Sequence, residues 1–221
     1  QRQLDPGNYK IVKKDGCVAM VNEFTVLPSR SKKKIDLKIT KSLGAAPNPL
    51  RHERGLEKLS GVEYAGYTLY SRLEMSEEIA KTENVGLWNL VQMPHGGDLI
   101  VPTYGKAEPK IYFGDINPDD LLVQESLLKY KMRANGEQKI GVRAIATTGR
   151  VGYLYQAGGD WAVIIRNFVV NPSGEYIDVP WKETDYFGYS TQACNVNSGL
   201  GSFSELRSEE HTSELQSRQS I

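Results

Sequence analysis

His95 and Glu205 are the residues best suited to move protons. His95, in QMPHGGD, follows a hydrophobic run and precedes two glycines, which let a backbone or a ligand approach closely. An imidazole there titrates near neutral pH and can give or take a proton; its plainer role is a turn histidine bonded to a carbonyl. Glu205, in GSFSEL, is a carboxylate among small residues, suited to a base at a cleft or to an ordinary strand position. One imidazole and one carboxylate together suit general acid–base chemistry on a hydroxylated substrate. His52, in LRHERG, sits in a polar stretch and reads as a surface residue.

Binding groups are sought among cations and rings. Arg143 (KIGVRA) and Arg166 (IIRNF) interrupt apolar runs, where a charge needs a partner. Each could bind hydroxyls, anchor a carboxylate or close a structural ion pair. Trp88, Trp161 and Trp181, with Tyr104, Tyr112 and Tyr186, offer ring faces that stack on sugars or fill a core. The expected substrate-binding set is Arg143, Trp88 and Arg166.

Other chemistries lack their motifs. No CxxC or Cys/His spacing suits zinc. GLGSFS lacks the third glycine and the following helix of a dinucleotide fingerprint, and neither a P-loop nor GxSxG occurs. No metal and no cofactor is therefore expected. The 27 Lys and Arg balance the 27 Asp and Glu, so no global basic field points to nucleic acid. Lys32-Lys33-Lys34 reads as a solvated loop. No apolar run approaches the roughly 20 residues of a membrane-spanning helix. QRQLDPGNYK shows no signal-peptide pattern, and the sequence assigns neither compartment nor oligomeric state. Cys17 and Cys194 lie far apart in sequence, and their pairing is left open.

These residues must be positioned by strands. Short β-prone runs alternate with turn chemistry along the whole chain. Asp15-Gly16 in YKIVKKDGCVAMV predicts a hairpin, because that turn needs positive φ. Asn135-Gly136 predicts a second, and Gly158-Gly159 joins RVGYLYQ to WAVIIRNFVV. KKIDLKIT alternates Ile35, Leu37 and Ile39 against polar neighbours. LRHERGLEKL and NPDDLLVQESLL are the helix candidates, each of one or two turns. With no linker or internal repeat, an all-β antiparallel sandwich or barrel in one domain is expected.

Past GSFSEL the β pattern gives way to RSEEHTSELQSRQSI, in which Leu215 is the one hydrophobe before Ile221. Such a run has no face to bury. It is similar to the in-frame translation of a common short-read sequencing adapter, whose triplets encode RSEEHTSELQS. Arg207–Ile221 is expected to be a disordered segment foreign to the native chain, which removes His211 from the candidates. Residues 1–206 are expected to form an incomplete single domain.

YAGYTLYSRLEM, VGLWNLVQMPHGGDLIVPTYG, KIGVRAIATTGRVGYLYQ and DYFGYSTQACNVNSGLGSFSEL together resemble bacterial proteins of the galactose mutarotase-like superfamily. The resemblance covers most of Leu37 to Leu206. It implies an antiparallel β-supersandwich with a carbohydrate-binding cleft on one sheet. In aldose 1-epimerases of this kind a carboxylate takes the anomeric hydroxyl proton and a histidine protonates the ring oxygen. Glu205 matches that carboxylate, and His95 is the local match for the acid; Glu63 and Asp98 are further acidic candidates. The Asn-x-x-x-His-x-Tyr-Phe surroundings of an epimerase histidine are absent. Relatives continue the Glu205 strand with a second acid, where this chain has Arg207. The resemblance implies a sugar or oligosaccharide partner. It leaves two functions: anomer interconversion by a His/Glu pair, or a non-catalytic carbohydrate-binding or accessory domain of a larger system.

Overall fold

The computed structural model describes residues 7–14, 17–28, 31–52, 55, 61–178, 188–210 and 217–220. The described chain is all-β and antiparallel, and it divides into two compact units where the sequence reading expects one domain.

The first unit is a meander: β1 (Lys10–Lys14), β2 (Cys17–Val26), β3 (Ile35–Ala45) and β4 (Tyr67–Glu74) pair in sequence order. Lys14 pairs with Cys17, which closes the expected hairpin around Asp15-Gly16; those two residues lie outside the described ones. The predicted alternation on β3 holds, with Ile35, Leu37 and Ile39 buried between polar neighbours. The half-buried Phe24 lies opposite Leu37, and the buried Leu73 opposite Ile39, so apolar residues stack across strands. A single helical turn, α1 (Glu77–Ala80), follows β4; Ser76 Oγ accepts from Ile79 N at 3.3 Å and caps it. LRHERGLEKL falls largely outside the described residues.

The second unit is a two-sheet sandwich. Its strands are β5 (Leu87–Pro94), β6 (Asp98–Pro102), β7 (Lys110–Phe113), β8 (Leu121–Val123) and β9 (Leu127–Lys131), then β10 (Gly136–Val142), β11 (Arg150–Ala157), β12 (Asp160–Asn167), β13 (Thr191–Ser198) and β14 (Gly201–Glu210). One sheet runs β12-β11-β6-β9-β8 and the other β5-β14-β13-β10-β7. Between them Leu99, Val101, Leu128, Tyr130, Val151 and Tyr153 of the first meet Met93, Ile140, Val142, Ala193 and Leu206 of the second. Alternating inward residues of the two sheets thus form the sandwich core.

Two expectations change here. Asn135-Gly136 is not a hairpin, although Gly136 has φ of 93°. β9 pairs with β6 and β8, whereas β10 pairs with β13 and β7, so the turn carries the chain from one sheet to the other. NPDDLLVQESLL forms one 3-10 turn, Pro118–Asp120, and then enters β8 and β9. Its leucines pair into a sheet because a helix of that length cannot stand alone.

Pro94-His95-Gly96-Gly97 makes a second crossing, from β5 to β6. Its organiser is the buried Tyr153 hydroxyl, which donates to Pro94 O (2.6 Å) and accepts from Gly97 N (2.8 Å). Gly96 N donates to Met132 O and Met132 N donates to Gly97 O, tying the two crossings together. By contrast Gly158-Gly159, between the two strand-prone runs, closes a hairpin, with Ala157 opposite Asp160.

The strand pattern expected to stop at Leu206 continues. Arg207–Glu210 extend β14 beside β5 and β13 because the polar side chains of Arg207, Ser208 and Glu209 find partners there, as buried polar groups must. The last strand, β15 (Ser217–Ser220), pairs with β4 and belongs to the first unit; His211 lies outside the described residues. No helix among the described residues is long and apolar enough to cross a membrane.

Candidate functional site

Strand alternation gives the second sheet of the sandwich two different faces. Leu206, Ala193, Ile140 and Val142 point into the core. The opposite face carries Glu205, Arg207 and Glu209 on β14, Gln192 and Cys194 on β13, Lys139 on β10 and Trp88 on β5. Glu205 lies opposite Cys194, and Cys194 opposite Lys139, so the three form one row across the strands.

The charges on this face are paired and packed on rings. Lys139 Nζ is 3.0 Å from Asp178 Oδ2 and sits over Tyr112 (4.2 Å to the ring centre) and Trp88 (5.1 Å). Burial lowers its pKa, and the Asp178 carboxylate opposes that shift. Glu205 Oε2 accepts from both Arg207 Nε, at 2.8 Å, and its terminal nitrogen. The Arg207 guanidinium lies 5.3 Å from the Trp88 ring centre, so Trp88 contacts two cations. Tyr112 packs edge-on against Tyr189, and Arg143 stacks on Tyr189 at 5.5 Å. Gly141 makes room for both tyrosines: a Cβ there would meet Tyr112 at 2.7 Å and Tyr189 at 2.9 Å. The buried Cys194 is a free thiol, its pKa raised by burial; the Cys17 side chain lies outside the described ones.

A short segment is pinned over this face. Glu209 accepts from Ile177 N (2.8 Å) and Asp178 N (2.9 Å), Tyr112 Oη donates to Asp178 O (2.7 Å), and Gln192 Nε2 donates to the same carbonyl (3.3 Å). These bonds hold Asp178 against Lys139. Burial pushes the Glu209 pKa up to about 7, against the two N–H bonds that favour the carboxylate. The folded state therefore holds a proton that the unfolded state releases near 4.5. Stability should fall as pH rises from 4.5 to 7, by roughly 3 kcal/mol, and level off above. Urea denaturation across that range measures it, and Glu209→Gln should remove this slope; a Gln variant with the parent's slope would refute the assignment.

The structure brings Trp88, Arg143 and Glu205 of the expected set to one face. It does not bring Arg166 there. Arg166 is 1% exposed and donates to Leu206 O (3.0 Å), Asn89 O (3.1 Å) and Ser208 Oγ (2.8 Å), so it cannot meet a substrate. It ties β12 to β14 and β5, one sheet to the other. His95 does not meet Glu205. Its Nε2 lies 3.4 Å from Ala134 O, the same carbonyl that accepts from Asn195 Nδ2, and Asn195 alternates with Cys194 and so lies on the core face. That is the turn role its sequence also allowed. Asp98 is paired with Lys129 (2.7 Å) and Arg133 (2.5 Å) on the other sheet, and Glu63 is exposed in the first unit. Tyr104 and Trp161 are exposed away from this cluster, and Trp181 and Tyr186 lie outside the described residues.

Sequence reasoning missed Lys139, Asp178 and Gln192. Lys139 left one signal: in GEQKIGV a lysine precedes an apolar strand end, as Arg143 follows it. An open groove in the first unit, lined by Glu23, Phe24, Asp36, Lys38 and Glu74 among others, contains none of the expected site residues. Among the described residues no group of three or more His, Cys, Asp and Glu could hold a metal ion.

Fold and face together define an all-β protein whose sandwich unit carries charged and aromatic residues on the outer side of one sheet. Residues 1–221 match the model of a family described as "Family of unknown function (DUF6786)", and the chain belongs to that family. No curated protein and no solved structure matches the chain.

Proposed function

We propose that the sandwich unit is a carbohydrate-binding domain of mutarotase-like type, and that the outer face of its β5-β14-β13-β10-β7 sheet holds a sugar or short oligosaccharide. The observation that carries this reading is the gathering of Glu205, Lys139 and Asp178 with the rings of Trp88, Tyr112 and Tyr189 on that one face, where Trp88 is 36% exposed. Carboxylate and amine groups bond hydroxyls, and ring faces pack against the C–H face of a sugar. The resemblance in the strand sequences supports the same reading. Of its two functions, binding is favoured over epimerisation through a His95–Glu205 pair. His95 is engaged at Ala134, and the Glu205 carboxylate is engaged by Arg207.

Ligand-observed NMR with D-galactose, D-glucose and their oligosaccharides tests this. At least one should bind, and Trp88→Ala should weaken it about tenfold, the loss of one stacking contact worth about 1.4 kcal/mol. A folded protein that binds no member of the panel would sink the proposal. Polarimetry with the bound sugar separates the functions: acceleration of mutarotation abolished by His95→Ala would restore the epimerase reading.

A further inference from the structure

We propose that Lys139 is a nucleophilic amine that forms a Schiff base with the open-chain aldehyde of a reducing sugar held on this face. The inference rests on the carbohydrate reading for its substrate class, but its geometry stands separately.

A lysine amine becomes a nucleophile when it is removed from water or placed near a second cation. Both conditions hold. The Lys139 side chain is 8% exposed, and its Nζ is enclosed by the rings of Tyr112 and Trp88. Arg207 packs on the same Trp88 ring and acts on Lys139 as a like charge. The charged and titratable groups around the amine are Asp178 from the segment after β12, Glu205, Arg207 and Glu209 from β14, Cys194 from β13 and Tyr112 from β7. Glu137 precedes it on its own strand. Burial, the largest influence on Lys139, favours the neutral amine that attacks.

Asp178 supplies the proton transfers that the reaction needs. Its Oδ2 is 3.0 Å from Nζ, and its side chain is 29% exposed, so it reaches both the amine and solvent. The neutral amine attacks the aldehyde carbon, forming the C–N bond as the carbonyl pair moves to oxygen. Asp178 takes a proton from nitrogen and returns it to the new hydroxyl. A second proton passes from nitrogen through Asp178 to this hydroxyl, which leaves as water while the nitrogen pair forms C=N. Amine and aldehyde thus give imine and water, with no oxidant or reductant consumed. The aldehyde would enter past Trp88, which is 36% exposed beside the buried Lys139.

The test is reductive trapping on the full chain. Glycolaldehyde, and separately D-glucose, is incubated with the protein and cyanoborohydride at pH 7 and at pH 10, and tryptic peptides are read by mass spectrometry. At pH 7 Lys139 should be alkylated measurably faster than the exposed Lys34 and Lys106. At pH 10 the advantage should shrink. Trapping at Lys139 no faster than at the exposed lysines at pH 7 overturns the proposal. Sugar binding by NMR without a Lys139 adduct also overturns it, while leaving the carbohydrate reading intact. A glycolaldehyde adduct at Lys139 in a protein that binds no sugar does the reverse: the amine stands and the carbohydrate reading falls.

Discussion

Arg166→Ala should destabilise the sandwich unit by ~4 kcal/mol, within the range for breaking a buried charged network. The guanidinium is buried and makes hydrogen bonds to two main-chain carbonyls and the Ser208 hydroxyl, and it also packs 5.9 Å from the Phe168 ring. Alanine removes these donors, strips Leu206 O and Asn89 O of a buried partner and leaves a cavity. Arg166→Lys should fall between, since an ammonium lacks the planar fork that reaches β14 and β5 together. Arg166→Met should recover part of the loss by refilling the volume. Urea denaturation followed by far-UV circular dichroism gives the ranking. Ligand binding by the folded fraction should be unchanged; a variant of native stability that no longer binds sugar would return Arg166 to the site.

Gly97→Ala should cost ~3 kcal/mol by overpacking alone. An added Cβ would collide with the Tyr153 ring and approach Leu154 O to 2.7 Å. Neither can yield. Tyr153 is fully buried, and its hydroxyl holds Pro94 O and the Gly97 amide. The Leu154 oxygen belongs to β11, which pairs with β6 and β12. The neighbouring Gly96 is the built-in comparison. It has φ of 99° and nothing within 4 Å of the point a Cβ would occupy, so Gly96→Ala bears only the conformational cost of about 1 kcal/mol. Thermal melts of the two variants should differ clearly; equal melting temperatures would refute the steric account of the crossing.

The all-β class was legible because its signals are local. Ile35, Leu37 and Ile39 alternate at the period of a strand, and that period alone put them on the buried side of β3. Asp15-Gly16 predicted a hairpin that the strand register closes, and Gly158-Gly159, between two strand-prone runs, makes another. Asn135-Gly136 carries the same signal and makes a crossing instead. A turn dipeptide specifies positive φ, but it does not specify which strand the chain pairs with afterwards.

The site divides along the same line. Sequence by itself singled out Glu205, Arg143 and Trp88 as residue types able to bind a hydroxylated ligand. It also singled out Arg166 and His95 on equal grounds, since a charge in an apolar run or a histidine before two glycines looks the same in either role. Tertiary structure alone decided between them. Pairing of β14 with β13 and β10 put Glu205 in a row with Lys139, and the long segment after β12 brought Asp178 onto it. The same pairing placed the carbonyls of Leu206 and Asn89 where Arg166 must satisfy them. Alternation fixes which residues share a side of one strand; only contacts between residues distant in sequence fix whether that side meets the core or the solvent.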